Sequence, residues 1–182
     1  TLMVDGQQVT VKKAKPLRDS QGNVVRNSDG KTIPRDTTIY DAAQQLYVNV
    51  QLGKQNPIPT LCHREHMRPV GVCRVCCVEV YQQDRDGKLR SGGKLVPACI
   101  QPVSEGMIVH TIATSETDKS ERLKRSVKLL TELLGADHLN RNESGAIQSP
   151  SELVQLSELG LSTLKVSKAR LEERIDESVR AF

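Results

Sequence analysis

Four of the five cysteines in this chain of 182 residues follow the spacing Cys62-x10-Cys73-x2-Cys76-x22-Cys99. The short Cys-x2-Cys step brings two sulfurs together through a tight turn, and the remote Cys99 can close a site around them. Iron–sulfur clusters are commonly held by four cysteine thiolates, and a [2Fe–2S] cluster needs two of them on each iron. The spacing therefore indicates one metal centre, for which an iron–sulfur cluster is the best candidate. A chain built around such a centre moves electrons.

Three other uses of the cysteines remain as alternatives. Disulfides are disfavoured because five thiols is an odd number, and because the stretch TLMVDGQQVT at residues 1–10 is too short and polar for a secretory signal. Structural zinc usually takes two short Cys-x2-Cys steps, whereas this chain has one. The third alternative is a set of unliganded cysteines in the core.

The fifth cysteine, Cys77, directly follows Cys76. If residues 77–81 form a strand, neighbouring side chains face opposite sides of the sheet, and Cys77 points away from the cluster. Free cysteine commonly packs as a small apolar residue. We therefore predict that Cys77 is a buried apolar residue and not a ligand.

Two histidines and one arginine stand close to the cysteines. His63 and His66 could in principle ligate a Rieske-type cluster, but four cysteines already satisfy two irons. His63, beside Cys62, and Arg74, inside the short step, are candidates for tuning the potential of the cluster. Solvation at the surface is the alternative for both side chains.

Turn and periodicity signals predict strand, strand, helix and then further strands. Asp5-Gly6 between two apolar runs is a hairpin signal, joining strands over 2–4 and 7–11. A helix over 38–52 begins at Thr37 or Thr38. Residues 12–36 form a polar insertion with a small hairpin around Val24-Val25. Further strands are predicted over 77–81, 95–98 and 107–112, and helices over 117–134 (ended by Gly135), 149–160 and 163–181.

The stretches IPTLCHREHMRPVGVCRVCCVEV and LVPACIQPVSEGMIVHT closely resemble one known domain. This is the N-terminal [2Fe–2S] ferredoxin-like domain of the iron–sulfur electron-transfer subunit of NADH:quinone oxidoreductase, the 75 kDa subunit family of respiratory complex I. Related proteins occur in NAD-reducing hydrogenases and formate dehydrogenases. The resemblance implies one [2Fe–2S] cluster, with the ligands Cys62, Cys73, Cys76 and Cys99. Plant-type ferredoxins differ, because their first three cysteines follow C-x4-C-x2-C.

The resemblance also implies the fold class. We expect an α+β chain whose residues 1–114 form a β-grasp domain, in which a mixed sheet packs on one helix and the cluster lies in an edge loop. The order of the predicted elements is independently consistent with that fold. Residues 115–182 are expected to form a helical extension.

A second cluster site of the same family is degenerate in this chain. Family members carry a [4Fe–4S] cluster on H-x3-C-x2-C-x5-C, and the corresponding segment here is about 131–160. Its histidine would be His138, and the three cysteine positions hold Asn142, Gly145 and Ser151. Asparagine and serine are poor iron ligands and glycine offers none, so no [4Fe–4S] cluster is predicted.

The resemblance implies an electron-transfer module with no bond chemistry of its own. It would pass single electrons within an NADH dehydrogenase-type complex, between a flavin- and iron–sulfur-bearing NADH-oxidising subunit and a downstream acceptor subunit. One alternative is a diaphorase-module subunit of an NAD-linked hydrogenase or formate dehydrogenase. An alternative of another class is a structural or assembly subunit with a zinc or empty site.

The amino-acid composition disfavours nucleic acid and the membrane interior as partners of this chain. Charge is balanced, with 26 basic and 22 acidic residues, and the basic run over 119–128 is interleaved with acids and lacks aromatics. Nucleic-acid binding usually needs a clustered basic face with stacking rings, so it is disfavoured. No apolar run approaches the ~20 residues of a membrane span, so no direct membrane insertion is expected. The predicted location is the cytoplasm, peripheral to the membrane through a complex.

Overall fold

The computed structural model describes residues 1–50, 55–64, 66–82, 93–114, 117–138, 140–141 and 147–148. The chain divides into two compact units, Thr1–Leu123 and Lys124–Phe182. The strands are β1 (Leu2–Val4), β2 (Gln7–Val9), β3 (Ala14–Pro16), β4 (Pro34–Asp36), β5 (Cys77–Tyr81), β6 (Lys94–Pro97), β7 (Ile108–His110), β8 (Asn140–Arg141) and β9 (Ile147–Gln148), and the α-helices are α1 (Ile39–Gln44) and α2 (Thr117–His138).

The main sheet of the first unit is mixed. Its strand order is β2-β1-β7-β5-β6, with β1 parallel to β7 and the other neighbours antiparallel. The predicted Asp5-Gly6 hairpin is confirmed, since Leu2 pairs with Val9 across it and both turn residues have positive φ, 48° and 79°. A mixed sheet with helices is an α+β arrangement, which confirms that part of the predicted fold class.

Helix α1 covers one face of this sheet. Thr38 is its N-cap, and a capping box forms because the Thr38 hydroxyl accepts from the Asp41 N–H while the Asp41 carboxylate accepts from the Thr38 N–H. The chain then continues as a π-helical segment, Gln45–Val50. Alternate residues of the strands pack against apolar residues of the helix, and the core comprises Leu2, Val4, Val9, Ile39, Ala42, Ala43, Leu46, Tyr47, Ile58, Cys76, Val78, Val80, Ala98, Cys99, Met107 and Val109.

The polar insertion holds two similar loops joined by their own hydrogen bonds. Strands β3 and β4 pair at its base. In the first loop Asp19 Oδ1 accepts from the Gln21 and Asn23 N–H groups, each at 2.9 Å. Eight residues later, Asn27 Oδ1 accepts in the same way from the N–H groups of Asp29 and Lys31, at 3.1 and 2.8 Å. The predicted small hairpin near Val24-Val25 is therefore part of a two-fold repeat, spelled RDSQGNVV and RNSDGKTI.

Helix α2 is longer than the sequence predicts. It continues to His138, so the expectation that Gly135 ends it is wrong. Near its start Arg122 donates to the Glu79 carboxylate of β5 at 2.6 Å, and also to the Gly93 carbonyl. Glu79 lies on the sheet face opposite Val78 and Val80, because side chains alternate along a strand.

The described part of the second unit contains the rest of α2 and the β8–β9 hairpin. Val127 is buried within it, and the Thr131 hydroxyl donates to the Val127 carbonyl at 2.9 Å. No helix among the described residues is both long and apolar enough to cross a membrane. The helices predicted over 149–160 and 163–181 lie outside the described residues. So do Asn142, Gly145 and Ser151 of the degenerate segment, and the predicted domain boundary at 114–115 stays a prediction.

Candidate metal centre

Two segments of the first unit bring the four cysteines together. Cys62, Cys73 and Cys76 lie before β5, and Cys99 lies in the turn that follows β6. The Ala98 N–H donates to the Cys76 carbonyl at 3.0 Å and so joins the two segments beside the site. The Sγ atoms of Cys76 and Cys99 are 3.3 Å apart.

The sulfurs stand as two pairs, which we call the inner pair and the outer pair. The inner pair is Cys76 and Cys99, which belong to the apolar core and are each 1% exposed. The outer pair is Cys62 and Cys73, which are half-buried and hydrogen-bonded to each other. Among the described residues, no three His, Cys, Asp or Glu side chains are grouped as the ligands of a single metal ion. A cluster of two irons takes two sulfurs at each iron, and the paired arrangement matches that need.

Ionisation of the inner pair shows that its sulfurs act on each other. The hydrogen bond between the two side chains lowers the pKa of Cys76 to about 7 against the opposing effect of burial, and backbone N–H groups add to the lowering. The same hydrogen bond raises the pKa of Cys99, as do burial and the negative charges of Cys76, Cys62 and Cys73. Negative charge on the other three sulfurs therefore opposes the ionisation of Cys99. A set of thiolates that repel one another gains from a cation among them, so the donors fit iron.

Backbone N–H groups surround the outer pair. Burial would raise the pKa of Cys62, but the N–H and side chain of Cys73 and the N–H of Val72 outweigh it, and the pKa is lowered. Burial raises the pKa of Cys73, although the N–H groups of Cys62 and Val75 act in the opposite direction. These N–H groups stabilise negative charge on the sulfurs, as they would on a reduced cluster.

Positive φ angles allow the loop to turn its N–H groups inward. Gly71 has φ 64° and Arg74 has φ 59°. A Cβ added at Gly71 would lie only 2.8 Å from Cδ1 of Ile100, so the loop and the Cys99 turn touch at this glycine. The Cys77 N–H donates to the Arg74 carbonyl at 3.1 Å and closes the short turn. Glycine is therefore favoured at residue 71 by its conformation and by the close approach.

The remaining predicted residues lie around this set. Cys77 is half-buried on β5, and burial raises its pKa to about 11. His63 is buried, and its ring lies edge-on to the ring of Tyr40 on α1, with 4.8 Å between the ring centroids. His66 and Arg74 are exposed. His63 thus packs against the helix and is not solvated at the surface.

Sequence reasoning missed Ile100 and Glu79. Ile100 follows Cys99 directly, and its contact with Gly71 has no signal in the cysteine spacing. The acidic residue in the apolar run CCVEV is a signal for Glu79, because a buried carboxylate needs a partner. Arg122 is that partner, and it comes from a helix 43 residues further along the chain.

The arrangement of the sulfurs resembles that of an iron–sulfur domain, and comparison with known proteins points to the same class. Residues 26–114 match the family described as a 2Fe-2S iron-sulfur cluster binding domain. All four cysteines of the inner and outer pairs fall inside that match. The predicted iron–sulfur, electron-transfer character of the domain is confirmed.

Curated relatives specify the resemblance further. The NADPH-Fe(3+) oxidoreductase subunit alpha of Geobacter sulfurreducens is 36% identical over 112 residues, covering 60% of this chain and 10% of the relative. The mitochondrial NADH-ubiquinone oxidoreductase 78 kDa subunit of Candida albicans is 33% identical over 81 residues, covering 44% and 9%. An NADH-quinone oxidoreductase subunit of Rickettsia typhi is 34% identical over 79 residues, covering 43% and 9%. The predicted resemblance is confirmed, and the chain spans about a tenth of the length of these relatives.

Proposed function

We propose that this chain holds one [2Fe–2S] cluster on Cys62, Cys73, Cys76 and Cys99 and passes single electrons within an NADH dehydrogenase-type complex. The observations that support the proposal are the two hydrogen-bonded cysteine pairs of the first unit and the match of residues 26–114 to the 2Fe-2S iron-sulfur cluster binding domain. When bound, the cluster supplies reversible one-electron transfer. The chain itself binds and shields the cluster and presents it to partners.

We assign one iron of the cluster to each pair of cysteines. Cys62 and Cys73 would hold one iron, and Cys76 and Cys99 would hold the other, because the members of each pair are hydrogen-bonded to each other. The inner pair is sealed by the core, which excludes water from that side. The outer pair is half-buried, so it is the side nearer solvent.

The fold and chain organisation belong to the same proposal. A hairpin, a helix and then further strands, with β1 and β7 parallel in the sheet, support a β-grasp domain over 1–114. We place the cluster loop, residues 62–76, at one end of that sheet and a helical extension over 115–182. The segment of His138, Asn142, Gly145 and Ser151 lacks cysteine, so the chain holds no [4Fe–4S] cluster there. The cytoplasm, at a membrane-associated complex, is the location that fits reduced thiols.

The relatives indicate two classes of electron donor. Two of them are named as subunits of NADH-quinone or NADH-ubiquinone oxidoreductases, which favours a flavin-bearing NADH-oxidising subunit as donor and a downstream cluster-bearing subunit as acceptor. The NADPH-Fe(3+) oxidoreductase relative matches over a longer stretch of this chain, 112 residues, so an NADPH-oxidising partner is the second candidate. Reduction of the cluster through the native flavoprotein with NADH or NADPH distinguishes the two.

Ligand substitution tests the cysteine set. Cys99→Ser should remove the visible absorption of the cluster and bring the iron count from about two per chain to below one, because a serine oxygen is a poor replacement for a buried thiolate. Cys77→Ser is the matched control, a change of the same size at a thiol outside the set, and should keep both irons. A Cys99→Ser protein with full iron and an unchanged spectrum would rule out this ligand set.

A further inference from the structure

Exposed apolar side chains gather beside the proposed cluster. Seven large apolar side chains are exposed among the described residues, and four of them lie in the cluster loop or the Cys99 turn. We call these four the apolar patch: Met67, Val70, Val72 and Ile100, which are 49%, 58%, 72% and 37% exposed. Scattered single exposures are normal, but a group at one site marks an interaction surface.

Contacts tie the apolar patch to the outer pair of sulfurs. Val72 precedes Cys73, and its N–H lies within hydrogen-bonding reach of the Cys62 sulfur. Ile100 packs against Gly71, so the loop and the Cys99 turn present one surface. The inner pair is sealed by the core, and the half-buried outer pair lies at this surface. The side on which the sulfurs come nearest to solvent is thus the side that carries the apolar groups.

The charges beside the patch have one dominant sign. Between Cys62 and Cys76 the sequence holds three arginines and one glutamate. Arg68, next to Met67, and Arg74, two residues after Val72, are exposed, whereas Arg64 donates to the Leu61 and His63 carbonyls, at 3.2 and 3.1 Å. An apolar centre with a positive rim attracts a partner with an apolar centre and a negative rim.

We propose that the apolar patch and its two exposed arginines are the docking surface for the electron-donating subunit, whose own face is apolar and ringed by carboxylates. This inference rests on the proposed electron-transfer function and names the surface through which electrons enter. Docking there brings the partner against the outer pair and removes the exposed apolar side chains from water. Opposite charges at the rim orient the encounter and speed it at low ionic strength.

A binding titration tests the surface without relying on turnover. The probe is the purified flavin-bearing NADH-oxidising subunit from the same organism, titrated anaerobically against the cluster-loaded chain. The double variant Met67→Ser/Val70→Ser should raise Kd about tenfold or more, since central apolar contacts dominate binding energy. Val48→Ser, 41% exposed in the π-helical segment, is the matched control and should leave Kd unchanged.

The same titration tests the charges of the surface with the variant Arg68→Gln, and Lys94→Gln on β6 is its control. Arg68→Gln should weaken binding at low salt and flatten the dependence of Kd on ionic strength, because one rim charge is lost. Lys94 is exposed on β6, and the Lys94→Gln variant should bind as the wild type does. The EPR spectrum and midpoint potential of the Met67→Ser/Val70→Ser cluster should match the wild type, which shows that the site itself is intact.

The outcomes separate this inference from the proposed function. If wild-type protein carries no cluster, the proposed function fails. If the cluster is present and the patch variants bind the flavoprotein as tightly as Val48→Ser does, the docking surface is overturned and the proposed function stands. If sedimentation shows that Met67→Ser/Val70→Ser abolishes self-association while flavoprotein binding is unchanged, the patch covers a second copy of this chain, which also overturns the proposal.

Discussion

The insertion and the cluster loop are both long irregular segments, but they are held together in different ways. In the insertion, residues 12–36, the backbone bonds to itself: the Val25 N–H donates to the Leu17 carbonyl at 2.9 Å and the Ile33 N–H donates to the Val25 carbonyl at 3.0 Å. In the cluster loop, residues 62–76, the N–H groups of Val72 and Val75 point at cysteine sulfurs. The N–H groups of the insertion therefore bond to carbonyls of the insertion itself, whereas those of the cluster loop point at the proposed metal site.

This difference indicates which of the two segments needs a bound metal to keep its structure. Buried or directed N–H groups need acceptors, and neighbouring thiolates repel one another unless something balances their charge. The insertion is held by hydrogen bonds of its own backbone, by the Thr37 N–H that donates to the Lys13 carbonyl, and by the contact of Lys15 and Arg35 with Asp41 on α1. We expect the cluster loop to be complete only when positively charged metal lies between its three sulfurs, of Cys62, Cys73 and Cys76, and the sulfur of Cys99. The following predictions test that contrast, from the largest expected effect to the smallest.

Removal of the metal should loosen the cluster loop and leave the insertion unchanged. After iron is stripped with a chelator, the amides of Val72 and Val75 should exchange with deuterium about tenfold faster or more, because their acceptors lose their fixed positions. The amides of Val25 and Ile33 should keep their protection. Hydrogen–deuterium exchange with mass spectrometry makes the comparison within one sample. Equal loss of protection in both loops would contradict the contrast.

Asp41→Asn should detach the insertion from the helix it contacts. Lys15 Nζ lies 2.5 Å from Asp41 Oδ1, and Arg35 donates to the other oxygen at 2.9 Å. Removing the carboxylate leaves two cations against a buried neutral group, which should cost about 2 kcal/mol of unfolding free energy. Urea unfolding at pH 7 measures the loss. Asp36→Asn, an exposed carboxylate on β4, is the control and should change stability by less than about 0.5 kcal/mol.

The contribution of Asp41 should also depend on pH. Burial alone would raise its pKa, but hydrogen bonds from Lys15, the Thr38 N–H and Arg35 outweigh it, and the pKa lies below its ordinary 3.8. A lowered folded-state pKa means that the stabilisation is complete above the ordinary value and is lost as pH falls through the lowered one. The stability difference between wild type and Asp41→Asn should therefore shrink below about pH 3.8. A difference that grows on acidification would refute the ion pairs as its source.

Gly71→Ala separates backbone strain from the contact with Ile100. A side chain at φ 64° is strained, and its Cβ would also meet Cδ1 of Ile100. The expected cost is about 1–2 kcal/mol, measured as a lower melting temperature of the cluster-loaded protein. Gly22→Ala in the insertion, at φ 86° with nothing within 4 Å of the added Cβ, is the matched control for strain alone. Equal costs at the two glycines would show that the Ile100 contact contributes nothing.

Arg74→Ala should have the smallest effect, a lower midpoint potential. The positive charge of Arg74 favours the reduced, more negative cluster, so its removal should lower the potential by about 20–40 mV, the equivalent of ~0.5–1 kcal/mol for one electron. Arg74→Lys keeps the charge and should stay near the wild-type value. Redox titration followed by EPR gives the midpoint. An unchanged midpoint in Arg74→Ala removes this residue from tuning.

Signals that act within a few residues of the sequence were enough to predict the first hairpin, the start of α1 and strand β5. Asp5-Gly6 marked the first hairpin, Thr38 marked the start of α1, and the alternation in CVEVY marked β5, because each signal acts within a few residues. The π-helical turn after Gln44 and the continuation of α2 past Gly135 were not predictable in this way. Propensity is a weak prior, and contacts made elsewhere in the chain override it.

The candidate site likewise has features that the sequence predicts and features that depend on packing elsewhere in the chain. The cysteine spacing predicts which four sulfurs share a site, and that stays a prediction, but it carries no signal that they stand as a buried pair and a half-buried pair. Burial depends on how the Cys99 turn packs on the core, and the exposure of Val72 and Ile100 depends on the path of the whole loop. The eight-residue repeat of the insertion was present in the sequence, since RDSQGNVV and RNSDGKTI can be aligned by eye. A search for short internal repeats would have found it.

The central claim is that four cysteines of this chain hold one [2Fe–2S] cluster. Visible absorption and EPR of anaerobically purified protein, before and after dithionite, with iron and zinc counts on the same sample, test it most directly. We expect a reddish-brown protein with about two irons per chain and a rhombic EPR signal that appears on reduction. A colourless protein with about one zinc per chain would contradict the claim, because a closed zinc site takes the same four thiolates and carries no electrons.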